Sequence, residues 1–371
     1  MPHEMTGATA HRQRTLLLKA ALLLLAVTPW GACGDGEPLV TSEAPLVPVD
    51  PLIPPSDSLP LDSVPVPPDT IVPPPDSGVD STVVPPGPDP DPMGPPPDSV
   101  APIPPPEHVG IPFGPYHLPP LNYGPRFSGT LLASHPLTVL ADLEAARRAG
   151  ARVMLGLVGS ERRLRGSDGH FSLAVWERRV DRYRSIDISS YIEDGTIIAH
   201  YIMDEPHDPT NWGGRTVPRA DVDEMAKYSK QIWPSLPTVI RGWPDYLKGY
   251  QYKYLDAAWA QYSDRFGDID QFISNNVRDA RSAGLGLVVG LNLLAGGDRT
   301  GIKGFYADKY AMSASQVRQW GNKLLDEGYI CAFISWKYDP DYFSRSGITS
   351  ALEDLNEKAR SRPKKACSNT N

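Results

Sequence analysis

The amino-acid sequence predicts an α/β fold, a TIM-type (β/α)8 barrel, at the end of an extended leader. Three observations predict it. Residues 107–371 contain eight short apolar runs that are near-continuous rather than alternating, the pattern of strands buried on both faces of a parallel sheet. Segments with apolar residues three and four apart separate them, as helices packed on such a sheet require. The length of that region, 265 of the 371 residues, suits one barrel domain.

Residues 1–33 read as a signal peptide. Arg12, Arg14 and Lys19 surround an apolar core over Thr15–Val27, too short for a membrane-spanning helix of about 20 residues and interrupted by Lys19. The segment breaks at Pro29 and ends in Gly31-Ala32-Cys33, which resembles the end of a bacterial lipoprotein signal, in which the cysteine is acylated. Trp30 departs from that pattern, which has a Leu-like residue there. The expectation is an exported protein, secreted or held in the cell envelope by a lipid on Cys33, and that anchor makes the membrane a partner.

Residues 34–106 form a linker. From Pro38 to Pro106 there are 25 prolines, ten acidic residues and no Lys or Arg, with a loose repeat seen in Pro54-Pro55-Ser56-Asp57-Ser58 and Pro95-Pro96-Pro97-Asp98-Ser99. Proline withholds backbone donors and the aspartates repel, so no core is expected. At about 3.1 Å per residue such a spacer reaches on the order of 200 Å.

The barrel region is nearly neutral, with 33 basic and 31 acidic residues, against the concentrated basic surface that nucleic-acid binding needs. A monomer is expected. Its strands are predicted at Ile111–His117, Phe127–Ala133, Arg152–Val158, Thr196–Met203, Thr238–Arg241, Leu255–Tyr262, Gly286–Leu293 and Cys331–Trp336. The first is the weakest, because Pro112 and Pro115 interrupt it. Helical spacing is clearest in Ile269, Phe272, Ile273, Val277 and Ala280, in Val317, Trp320 and Leu324, and in Ile348, Leu352, Leu355 and Ala359. Ser313 or Ser315 suits a helix start, and Gly150, Gly284 and Gly328 suit helix ends. No Gly-x-Gly-x-x-Gly turn follows an early strand, so a dinucleotide fold is not supported and no cofactor is expected. Cys331 and Cys367, the cysteines left besides Cys33, are an oxidisable pair in an exported protein.

In a barrel the reactive groups sit at the carboxyl ends of strands. The fourth strand ends Tyr201-Ile202-Met203-Asp204-Glu205-Pro206, two adjacent acids capping a buried segment. Unpaired charges there are costly unless a partner or a wet pocket receives them, so Asp204 and Glu205 are the prime candidates. Tyr116, His117, Arg241, Trp243, Trp259, Gln261, Asn292, Trp336 and Tyr338 stand at other strand ends, a mixture of flat apolar faces and polar groups that suits a sugar. The loop 295–312 carries Phe305, Tyr306 and Tyr310 and reads as an aromatic cover over the mouth. His117, His207 and Asp204 raise a metal-dependent hydrolase as a third reading, but paired-histidine metal spacings are absent and no metal is expected.

In these strand ends, Asp204-Glu205-Pro206 and Ser335-Trp336-Lys337-Tyr338, the chain resembles the TIM-barrel glycoside hydrolases of the large retaining clan. The resemblance implies Glu205 as general acid/base and Trp336 as a stacking floor beneath a sugar of an oligo- or polysaccharide. It also implies a nucleophilic Glu ending strand seven, where this chain has Asn292. A second carboxylate is then needed from Asp339, Asp298 or Asp204, with Asp339 preferred because Trp336 and Tyr338 bring its strand end to the mouth. The alternative is a glycan-binding barrel that does not catalyse.

Overall fold

A computed structural model describes residues 107–124 and 126–368. The signal, the acylation expected at Cys33 and the proline-rich linker lie outside the described residues. All eight predicted strands are present: β1 Phe113–Pro115, β2 Gly129–Ala133, β3 Arg152–Gly156, β4 Ile197–Asp204, β5 Thr238–Arg241, β6 Ala257–Tyr262, β7 Gly286–Leu291 and β8 Ile330–Ser335. They form one parallel sheet in the order β1-β8-β7-β6-β5-β4-β3-β2, in which β1 pairs β8 with Phe113 opposite Phe333.

The barrel closes at the β1–β2 seam, and its chemistry follows from the two prolines. Pro112 and Pro115 have no N–H to give, so side-chain hydroxyls carry part of the seam. Thr130 Oγ1 donates to the Pro115 carbonyl at 2.7 Å and Ser128 Oγ accepts from the Phe113 N–H at 3.2 Å. One parallel bridge, Tyr116 to Leu131, completes the ring.

Strand parity then sorts the core. Leu131, Met154, Ala199, Val239, Ala257, Trp259, Val288 and Ile334 form the cluster inside the barrel, while their neighbours join the larger cluster under the helices. Cys331 and Cys367 are joined by a disulfide. Cys331 is the second residue of β8, so the bridge ties the carboxyl-terminal tail across the amino end of the barrel, opposite the end where a site is expected.

The surrounding helices are α1 Val139–Arg148, α2 Leu173–Asp181, α3 Ser189–Glu193, α4 Arg219–Ile232, α5 Pro244–Leu247, α6 Ile269–Ser282, α7 Ala314–Asp326, α8 Pro340–Phe343 and α9 Ser346–Ser361. Ser313 caps α7 in a reciprocal capping box with Gln316. Gly150 and Gly284 follow α1 and α6 in the left-handed region, at φ of 68° and 69°, where a side chain is disfavoured. Gly328 does not take that role: α7 runs out through an extended Glu327.

His200 points out of β4 into the layer between sheet and helices. It is fully buried, its Nδ1 lies 2.8 Å from Ser229 Oγ, and Trp176 and Trp233 pack on it. Burial lowers its pKa to about 3 from the ordinary 6.5. The folded state therefore binds fewer protons than the unfolded one between those values, and this stability, present above pH 6.5, drains away as the pH falls. At pH 5 the loss from this residue is expected to be about 2 kcal/mol. Urea unfolding at pH 7 and pH 5 is expected to show that drop in the parent relative to His200→Gln; equal drops in both would refute it.

Candidate active site

Parity places the site. In β5 and β6 the residues two beyond Val239 and Trp259 are Arg241 and Gln261, which continue the inward face up to the carboxyl end. There Arg241 meets Asp204, its register partner on β4. Arg241 Nε and Nη2 bind the two oxygens of Asp204, the second contact at 3.0 Å. Arg241 Nη2 is also 3.2 Å from Glu205 Oε1, and Nη1 donates to Gln261 Oε1 at 3.1 Å. A guanidinium fork matches two carboxylates in this way without leaving a buried charge alone.

Glu205 is held on every side yet open. Asn211 Nδ2 donates to its Oε2 at 3.1 Å, Trp212 Nε1 donates to its carbonyl at 2.9 Å, and its own N–H donates to the Arg241 carbonyl at 2.7 Å. About a quarter of its side chain, 27 %, remains exposed. Its backbone sits at φ 40°, in the left-handed region and directly before Pro206. Such strain in a non-glycine residue persists only where the surroundings enforce it, and it is concentrated at functional sites. Burial raises the pKa of Glu205; Arg241 opposes the shift and Asp204 adds to it.

A third acid, Glu161, is close enough to feel the charge of Asp204. Glu161 opens the short 3-10 turn Glu161–Leu164 that follows β3, anchored by the buried Leu164. Its pKa rises to about 7, chiefly through burial and then through the charge of Asp204. Burial, with the charge of Asp204 adding to it, pushes the Tyr116 phenol up as well. Glu161 was missed in the sequence because it lies five residues beyond the end of β3; the only local signal was an acid in a loop on the correct side of the barrel.

The remaining expected residues divide. Trp259 does not face the mouth: it is 1 % exposed and its Nε1 donates to the Ile334 carbonyl, so it fills the barrel interior. Asp339, preferred above as a second carboxylate, caps α8 by accepting from the Tyr342 N–H at 2.9 Å, and Asp298 accepts from the N–H and hydroxyl of Thr300. Both are spent on local turns. Asp204, the third candidate, shares Arg241 with Glu205. Asn292 Oδ1 accepts from the Ala295 N–H, and its backbone bridges to Trp336.

Trp336 stays partly open, with Tyr306 tilted against it at 5.1 Å between ring centroids. Tyr306 belongs to the expected aromatic cover, whose two-stranded ribbon pairs Ile302–Lys303 with Tyr310–Ala311. Tyr338 instead lines a cavity of about 610 Å³ beside Tyr123, Phe127 and Phe343. His117 is exposed at the rim with φ 58°, its ring 3.6 Å from that of Tyr116. Trp243 is exposed beside His207, at 5.1 Å, and adds a second flat face. Among the described residues no group of three or more His, Cys, Asp or Glu side chains is placed to hold a metal ion.

No protein-family model and no curated protein matches the chain. Solved structures that resemble it include a beta-glucuronidase from an uncultured Clostridium sp. (12 % identity, TM-score 0.42, covering 67 % of this chain and 50 % of that one). Others are a GH2 beta-galacturonidase from Eisenbergiella tayi (13 %, 0.40, 64 % and 45 %) and a hyperthermophilic endocellulase from Pyrococcus horikoshii (12 %, 0.40, 63 % and 83 %). The match spans about half the length of the first two proteins. These are likenesses of barrel layout.

Proposed function

We propose that this barrel cleaves a glycosidic bond in an oligo- or polysaccharide, with Glu205 as the acid/base carboxyl. The observation that carries the proposal is the strained, partly open Glu205 next to Asp204 at the end of β4, both bound by Arg241 from β5. A carboxyl whose pKa burial raises and a guanidinium opposes is suited to take and give a proton. Trp336 with Tyr306, and Trp243 across the mouth, supply flat apolar faces for sugar rings, and Gln261 Nε2, buried without a partner, supplies a donor.

Screening residues 1–371 on a glycan panel is the test. Glu205→Gln is expected to lower turnover by at least about 100-fold while leaving the melting temperature unchanged. Undiminished turnover would remove Glu205 from the chemistry. A second reading, a glycan-binding barrel without catalysis, draws on Asn292 at the end of β7 and on the Arg241 contact to Glu205. Calorimetric binding with no reducing ends released by the parent protein favours it.

A further inference from the structure

We infer that the barrel carries a second site, a groove for a neutral oligosaccharide between the segment after β1 and the helices α8 and α9. It goes beyond the glycosidic reading, because binding there does not need Glu205 to act.

The groove is built where two strand ends meet. The Tyr338 N–H donates to the Tyr116 carbonyl at 2.8 Å, so the chain leaving β8 is held against the chain leaving β1. These two segments, with α8 and α9, wall the cavity of about 610 Å³, within the range of roughly 300–1,000 Å³ found for small-molecule pockets. Part of the wall is aromatic: Phe343 lies 5.0 Å from Tyr338 and 5.8 Å from Phe127 between ring centroids. Tyr123 completes it. That residue is 9 % exposed, and its hydroxyl has no hydrogen-bond partner among the described residues. A buried hydroxyl left unpaired is costly, so an occupant of the cavity that supplies a partner gains from it. The cavity shares no lining residue with the surroundings of Glu205.

The rim selects the occupant. Arg126 Nε donates to Glu353 Oε1 at 3.0 Å, and both side chains are about half exposed. Their charges cancel, so the rim favours neither an anion nor a cation. The pair still leaves the two Nη groups of Arg126 and Oε2 of Glu353 for a ligand, donors beside an acceptor, which match neighbouring hydroxyls on a sugar. Asn122 and Ser344 add an amide and a hydroxyl to the lining. An apolar guest would strip water from these groups without replacing its hydrogen bonds. Arg126 and Glu353 also line a second cavity of about 230 Å³, which reaches Glu357 and Arg360 further along α9. A site that continues past its rim fits a chain of sugar units better than a single one.

The test uses the full chain with Glu205→Gln, which spares the probe from cleavage, and NMR of isotope-labelled tyrosine rings assigned through Tyr123→Phe and Tyr338→Phe. Cellohexaose, laminarihexaose, xylohexaose and chitohexaose are added in turn. At least one is expected to shift the Tyr123 and Tyr338 resonances together and to saturate. If none does so at about 10 mM, where a millimolar site is filled, the groove is not a sugar site. Shifts produced by a proline-rich peptide and by none of the sugars overturn the inference in favour of a peptide groove. For the sugar that binds, affinity at these rings is expected to fall by about tenfold in Glu353→Ala and about fivefold in Tyr123→Phe. The sugar-free unfolding midpoint of Glu353→Ala should match the parent, since an exposed ion pair contributes little. Undiminished affinity in either variant overturns the site. The two readings fail separately: silent tyrosines in a protein whose parent cleaves glycans remove the groove alone, and shifting tyrosines in one whose parent cleaves none remove the cleavage alone.

Discussion

Arg241→Met is expected to abolish turnover and to destabilise the barrel by about 3–5 kcal/mol at neutral pH, the usual consequence of removing one partner from a buried ionic group. The size follows from what Arg241 touches. It is the cation that binds Asp204 through two contacts, reaches Glu205 and anchors Gln261 Oε1. Without it Asp204 and Glu205 share one low-dielectric strand end and lose the positive charge that offsets them.

The sign of the pH dependence separates this from loss of packing. The unpaired acids escape repulsion by holding protons, so in the variant their folded-state affinity for protons exceeds that of the unfolded chain. Stability gained in that way is present at low pH and lost as the pH rises. The gap between Arg241→Met and the parent is therefore expected to narrow from pH 7 to pH 5 in denaturant unfolding. A gap that is constant across that range would point to a packing defect instead, and a variant as stable as the parent at pH 7 would refute the role given to Arg241.

Gly114→Ala is expected to cost more than about 3 kcal/mol and to leave the barrel largely unfolded at physiological temperature. A Cβ built on Gly114 lies 1.9 Å from the carbonyl oxygen of Gly129, across the seam where β1 meets β2. The clash is with backbone, so no rotamer change relieves it, and β1 has little room to move: Phe113 stacks on Phe333 at 5.1 Å on the other side. Gly328→Ala is the control. Nothing lies within 4 Å of a Cβ there, and its backbone is not left-handed, so its unfolding midpoint is expected to match the parent or exceed it. If both substitutions have the same small effect, the seam is not close-packed.

Much of the candidate site was legible for a local reason. Asp204 and Glu205 end a long buried strand, and a charge in that place needs an explanation that sequence alone can notice. Arg241 was legible too, at the end of the next strand. The local bonds of the other expected acids have equally local causes. Asp339 precedes a proline and Asp298 stands two before Thr300, arrangements in which an aspartate commonly serves its own turn. Trp259 and Gln261 share one face of β6, and only height in the barrel separates filling from function.

The sequence by itself determined the eight strands and the end of the barrel at which acids collect, because burial on both faces and the alternation of strand and helix are properties of neighbouring residues. Only the tertiary structure decided that Arg241 binds Asp204 and Glu205 together, with Glu161 close enough for the charge of Asp204 to raise its pKa. That choice depends on the path of the loop after β3 and on the closure of β1 against β2, and proximity between residues some 40 apart in the chain comes from packing the whole ring.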